Sequence, residues 1–269
     1  MLSSFAQKTA ASPALSVTAL RCGYAGIEVL KGISFSVSSG EFLGVLGPNG
    51  AGKSTLVQAL SGIIPFKEGR IEVLGNGIER LSLKERARRM AVIMQDGDIR
   101  FPFSCREVVE MGRYPHKKRW RMDSAGDAEA VEKALHLTDT DTLGDRPITG
   151  VSGGERQRVL MAKSLAQGAP IMILDEATSA MDIHRKLQTF RVLDTLNREE
   201  NLTIMAVLHD INLAALFCRR LIFLKNGIIQ AEGPTEDVLT SEILEKVYDT
   251  RVVVQEIEVL RKKQVIFLP

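Results

Sequence analysis

Long apolar runs are missing from this 269-residue sequence. A helix that crosses a bilayer takes roughly 18–20 mostly apolar residues. The longest candidates, Leu221–Leu224 and Thr203–Leu208, are strand-length and bounded by charges or turn residues. Any passage through a membrane would have to be formed by another chain. A charge excess is missing too. The 35 Lys+Arg and 33 Asp+Glu leave a net +2, without the strong basic surplus of dedicated nucleic-acid binders. Cysteines are few: Cys22, Cys105 and Cys218 are far apart and outside metal-ligand spacing. They fit small apolar fillers in a reduced, cytosolic compartment. Met1 to Pro13 is rich in Ser, Ala and Thr. It lacks the basic-then-apolar order of a secretory signal and is expected to be a poorly ordered tail. Internal repeats, heptads and low-complexity linkers are absent as well.

What is present is ordinary globular composition, 45% hydrophobic and 25% charged, in a chain long enough for one large core. Val17–Tyr24, Ile33–Val37 and Glu41–Leu46 read as strands between Gly/Ser turns, and Arg70–Leu74 and Met90–Gln95 as further strands. Gly52 to Gly62 has helical composition and stops at a glycine. From about Asp96 to Gln167 the pattern turns helical, over Arg106–Gly112, Ser124–Leu137 and Gly154–Ala166. Strands return at Ile171–Asp175 and Thr203–Leu208, each followed by a helical stretch. That alternation predicts a parallel sheet with crossover helices. Lys225-Asn226-Gly227-Ile228 predicts a tight hairpin. The expectation is an α/β P-loop core in residues 14–269, with a helical insertion at about 96–167.

Gly47-Pro48-Asn49-Gly50-Ala51-Gly52-Lys53-Ser54-Thr55 satisfies G-x-x-x-x-G-K-S/T between a strand and a helix. Its glycines let backbone N–H groups converge on phosphate oxygens at the positive end of the helix. Lys53 is expected to reach the β and γ phosphates, and the Ser54 hydroxyl to ligate Mg²⁺. A P-loop alone does not separate kinases, GTPases, helicases and transport ATPases.

Ile171-Met172-Ile173-Leu174-Asp175-Glu176 narrows the choice. Asp175 falls at the carboxyl end of a buried strand, where it can hold Mg²⁺ through water. Glu176 follows at the tip, placed to polarise an attacking water. Val151-Ser152-Gly153-Gly154-Glu155-Arg156-Gln157 opens a long helix and makes a second anion-binding N-terminus. One nucleotide site has no use for two such ends. In a dimer, each copy can offer the second end to the γ-phosphate held by the other.

The order of P-loop, Gln95, Ser152-Gly153-Gly154, Asp175-Glu176 and His209 resembles that of the ABC ATPases, from Val17 to about Val247. The resemblance implies the ABC ATPase fold, with an antiparallel β subdomain, ATP and Mg²⁺ as ligands, and a homodimer bound to two transmembrane permease subunits. Tyr24 resembles the aromatic that stacks on adenine, a packed strand tyrosine being the alternative. Gln95 resembles the glutamine that touches Mg²⁺ and senses nucleotide state. Ser179-Ala180-Met181-Asp182 resembles the loop that crosses the dimer interface, and His209 the histidine that holds the γ-phosphate. His116, His136 and His184 read as surface residues.

Two departures stand out. The helix-opening motif has Val151 and Glu155 where the family usually has Leu and Gln, and the crossing loop has Met181 for Leu. Glu155 adds negative charge near the expected phosphates. Val108-Val109-Glu110-Met111-Gly112-Arg113-Tyr114-Pro115-His116, the run His209 to Ala214, and Ala231 to Thr240 resemble importers of iron-siderophore complexes, haem and cobalamin. That implies a substrate-binding protein on the far side and a peripheral place on the cytoplasmic face of the inner membrane. The basic run Arg113 to Arg121 reads either as a contact for anionic headgroups or the permease, or as a solvated loop. A non-transport ABC ATPase and an inactive nucleotide-binding scaffold are the rival readings. The single cassette, the absence of Cys pairs and the intact Lys53, Asp175, Glu176 and His209 speak against them. Residues 251–269 read as short strands with no assigned role.

Overall fold

The computed structural model describes residues 13–24, 26–95, 99–117, 125–259 and 261–269. The expected tail over residues 1–13 therefore lies outside the described residues except for Pro13. Strands β1 (Leu15–Tyr24), β2 (Ile27–Val37), β4 (Glu68–Val73) and β5 (Asn76–Gly77) form an antiparallel sheet in the order β2-β1-β4-β5. β2 starts well before Ile33, because Glu28, Lys31 and Gly32 break the apolar pattern on an edge strand that shows one face to solvent.

The main sheet holds β3 (Phe42–Leu46), β6 (Met90–Ile93), β7 (Ile171–Asp175), β8 (Thr203–Val207), β9 (Arg220–Lys225) and β10 (Ile228–Pro234). Their order is β10-β9-β3-β8-β7-β6. Strands β6, β7, β8, β3 and β9 run parallel, and β10 returns antiparallel to β9. The β9–β10 turn is the expected hairpin, with Asn226 and Gly227 at φ +53° and +80°. Both faces of the parallel strands are covered, so their sequences are continuously apolar. Leu43, Val45, Ile171, Ile173, Met205 and Val207 pack toward the antiparallel sheet. The alternate residues Phe42, Leu46, Met172, Leu174, Ile204 and Ala206 pack toward helices α6 (Ile183–Glu199) and α7 (Ile211–Phe217). There Phe190 stacks on Phe42 at 6.1 Å and tilts against Phe217 at 5.4 Å.

Helix α1 (Lys53–Ser61) follows β3 directly, and α2 (Leu83–Arg89) precedes β6. Between β6 and β7 lie α3 (Cys105–Glu110), α4 (Ala125–Leu137) and α5 (Gly153–Ala166), which share their own core around Val108, Val131, Leu135, Val159 and Ala162. The helix expected to reach Gly112 stops at Glu110 and continues as a 3-10 turn over Met111–His116. Gly112 lies so close to α5 that a Cβ would fall 2.2 Å from the Lys163 carbonyl. After β10 come α8 (Thr235–Val238), α9 (Ser241–Tyr248) and a hairpin of β11 (Val252–Ile257) with β12 (Lys262–Phe267). Among the described residues no helix is long and apolar enough to cross a membrane.

Candidate nucleotide site

Every chemistry-bearing residue that meets here does so at the carboxyl edge of the parallel strands, where open α/β sheets place their ligand crevices. The glycine-rich loop leaves β3 and enters α1 at Lys53. Gln95 stands just past the end of β6, Asp175 and Glu176 end β7, and His209 follows β8. The order β3-β8-β7-β6 makes these strands neighbours, so residues from Gly47 to His209 converge. Asn49, Gly50, Ala51, Gly52, Lys53, Ser54, Thr55, Gln95, Glu176 and His209, with Val29, line an open cleft of about 550 Å³.

The loop is held by close approach. A Cβ on Gly47 would fall 2.0 Å from the Leu224 carbonyl, and Gly52 holds φ +102° as it enters α1. Lys53 is buried, and its ammonium donates to the carbonyls of Gly47 at 2.8 Å and Pro48 at 3.1 Å. Burial pulls the Lys53 pKa below its usual value, against the opposing charges of Glu176 and Asp175. Asp175 is almost wholly buried, and its carboxylate accepts from the Ser54 hydroxyl at 3.4 Å. Burial pushes the Asp175 carboxyl up, the Ser54 hydrogen bond works against that, and the adjacent Glu176 adds to it. A buried carboxylate beside a hydroxyl and a second carboxylate suits a hard divalent cation with oxygen ligands.

Glu176 adopts a left-handed backbone, φ +50°, uncommon for a residue with a side chain. Its N–H donates to the Val207 carbonyl at 3.2 Å, anchoring the turn to β8. One carboxylate oxygen accepts from the Gln95 amide at 2.7 Å, and the other meets His209 Nε2. Gln95 thus rests on Glu176.

Other expected residues lie elsewhere. Tyr24 is 43% exposed, and its hydroxyl bonds to Gln58 of α1, beside the cleft and not among its lining. Ser152, Gly153 and Gly154 at the start of α5, and Asp182 at the start of α6, do not line the cleft either. They adjoin each other. Ala180 N–H donates to Gln157 of α5 at 3.0 Å, and the Gln157 amide donates to the Ser179 hydroxyl at 3.1 Å. The Ser152 hydroxyl caps α5 by accepting the Glu155 N–H at 3.3 Å. The Glu155 carboxylate turns back onto the Ser152 N–H at 2.8 Å and lies 3.5 Å from Arg146. These hydrogen bonds hold it below the usual carboxylate range. Glu155 therefore completes a capping box at the start of α5.

Two surface readings need correcting. His116 is half-buried, with Nε2 2.8 Å from the Gln167 carbonyl. Arg113 is not part of a free basic patch: it pairs with Asp127 at 2.8 Å and donates to the Ala166 carbonyl at 2.7 Å. Lys118 to Arg121 lie outside the described residues.

The cleft thus joins a P-loop, the Glu176 carboxylate and a histidine, with the buried Asp175 beneath Ser54. The ABC transporter family profile matches residues 30–179. The chain belongs to the ABC transporter family. An ABC relative, the cobalamin import ATP-binding protein of Halobacterium salinarum, is 39% identical over 89% of this chain and 60% of its own length. The chain thus spans about 60% of the length of the first relatives it matches. The ferric enterobactin transport ATP-binding protein of Escherichia coli is 37% identical, over 86% of each chain. Among solved structures, an inward-facing metal-chelate type ABC transporter superposes with TM-score 0.82 at 27% identity, over 96% of this chain and 98% of its own.

Proposed function

We propose that this chain is the ATP-hydrolysing subunit of an ABC importer that energises uptake of an iron chelate, a siderophore complex or haem. The observation that carries it is the meeting of the P-loop, Asp175, Glu176, Gln95 and His209 at one sheet edge. The loop N–H groups and the α1 N-terminus receive the phosphates. Lys53 exchanges the Gly47 and Pro48 carbonyls for phosphate oxygens, a trade of hydrogen bonds within one reach of the side chain. Ser54 and Asp175 are the residues that would hold Mg²⁺, which when bound neutralises charge on the phosphates. Glu176 accepts a proton from water as its oxygen bonds to the γ-phosphorus and the bond to ADP breaks. His209 and Gln95 hold the Glu176 carboxylate in place.

Ser152, Gly153, Gly154 and Asp182 face a second copy, whose nucleotide they complete, and Tyr24 flanks the adenine. In this reading residues 14–269 form one nucleotide-binding domain with a helical subdomain at about 96–167. The homodimer binds two permease subunits at the cytoplasmic face of the inner membrane, with a substrate-binding protein beyond and no nucleic acid. An iron chelate is favoured because the ferric enterobactin relative matches over most of both chains, whereas the cobalamin relative is much longer than this chain. Cobalamin is the second reading.

Cargo is tested by deleting the gene in its host and supplying a ferric siderophore, haem and labelled cobalamin separately. Loss of iron-chelate uptake, restored by the wild type but not by Lys53→Ala, supports the proposal. Loss of cobalamin alone moves the assignment to cobalamin, and normal uptake of all three contradicts import of any of them.

A further inference from the structure

The C-terminal hairpin packs on the helix that follows one wall of the cleft. β12 packs along α7, the helix that begins two residues after His209. Its contact is specific: the Asn212 amide donates to the Val265 carbonyl at 3.1 Å and accepts the Val265 N–H at 2.7 Å. Asn212 therefore pairs with both backbone groups of Val265, as a neighbouring strand would, and covers the β12 edge that β11 leaves open. Val265 itself is buried against the α7 core.

The second contact runs through α9. Phe267 of β12 meets the Tyr248 ring edge-on at 5.8 Å. Tyr248 is half-buried and packs against the core that carries α7. Lys225 ties the same end of α9 to β9 by bonding the Lys246 carbonyl at 2.8 Å and the Asp249 carboxylate at 2.7 Å.

We propose that the β11–β12 hairpin is a positioning element for the nucleotide site, setting His209 through Asn212 at the start of α7. The inference rests on the ATPase reading. Asn212 acts through His209 and touches no substrate. Displacing it should change turnover more than it changes stability, because small misplacements of reacting groups are costly.

The test is steady-state ATP hydrolysis with Mg²⁺ by the full chain, compared for wild type, Asn212→Ala and Asn212→Asp. Fluorescent ATP-analogue binding and the nucleotide-free melting temperature are measured alongside. Asn212→Ala is expected to lower kcat by about 10-fold with KM within about twofold. Asn212→Asp, which keeps the acceptor for the Val265 N–H, should recover part of that loss. If Asn212→Ala does not fold, Asn212→Asp alone decides, with a kcat below wild type expected. Variants that melt earlier yet keep wild-type kcat and KM overturn the proposal, since the hairpin would then only add stability. Absence of both turnover and analogue binding in the wild type overturns the ATPase reading, and this inference with it.

Discussion

The Gln95 side chain donates to the Glu176 carboxylate at 2.7 Å, joining the segment after β6 to the tip of β7. With His209 on the other oxygen, Glu176 is held from both sides by the segments that follow β6 and β8, the two strands flanking its own. A carboxylate so fixed is oriented before substrate arrives. Gln95→Ala is therefore expected to cut ATP turnover by about 10-fold to 100-fold, the usual cost of removing an orienting partner, with analogue affinity less affected. Kinetics with independent binding data separate the two effects.

Lys53 is a buried cation whose present partners are two loop carbonyls. Lys53→Met removes the charge that meets the phosphates and leaves those carbonyls without their donor. ATP-analogue affinity should fall by about 10-fold or more, the effect of losing one charge-assisted contact. Titration of the analogue at fixed Mg²⁺ checks it.

Divalent-cation removal bears on Ser54 and Asp175. EDTA should abolish hydrolysis and Mg²⁺ should restore it. Asp175→Asn should require more Mg²⁺ for half-maximal rate, because an amide is the weaker ligand for a hard cation. A Mg²⁺ titration of both proteins reads this directly.

Gly227 carries a structural load close to the site. Its φ is +80°, its N–H donates to the Ala51 carbonyl at 3.1 Å, and a Cβ there would fall 1.8 Å from the Val29 carbonyl. Gly227→Ala combines left-handed strain with a backbone clash, together about 2–4 kcal/mol of lost stability. Urea unfolding of the variant against wild type measures it.

Much of this was readable in advance, and the reasons differ by element. The P-loop and the Asp175-Glu176 strand are contiguous motifs whose spacing carries their chemistry, so their place at strand ends was foreseeable. The apolar runs at Ile171–Asp175 and Thr203–Val207 announced a sheet covered on both faces. The pairing of Gln95 and His209 on one carboxylate was not legible, because it depends on strand order and not on sequence distance. The capping box of Glu155 was missed, although Ser152 and Glu155 stand at the spacing of that motif. Arg113 misled because Asp127, its partner, lies in the next helix. The start of β2 was hidden by Glu28 and Lys31 on a half-exposed edge strand.

The cysteines give a prediction without nucleotide. Cys22, Cys105 and Cys218 are all buried, and burial raises each thiol above its ordinary pKa. Thiolate, the reactive form, is therefore scarce at neutral pH in the folded chain. Iodoacetamide at pH 7.5 should label none of the three within minutes in buffer, and all three in denaturant, by intact mass.

The measurement that tests the account most directly is phosphate release by wild type and Glu176→Gln, with analogue binding and particle size followed on the same samples. The account predicts that Glu176→Gln keeps nucleotide affinity, loses turnover by about 100-fold or more as expected for removal of a general base, and accumulates as an ATP-dependent dimer. Turnover by Glu176→Gln equal to wild type would contradict the assignment of Glu176 and the mechanism built on it.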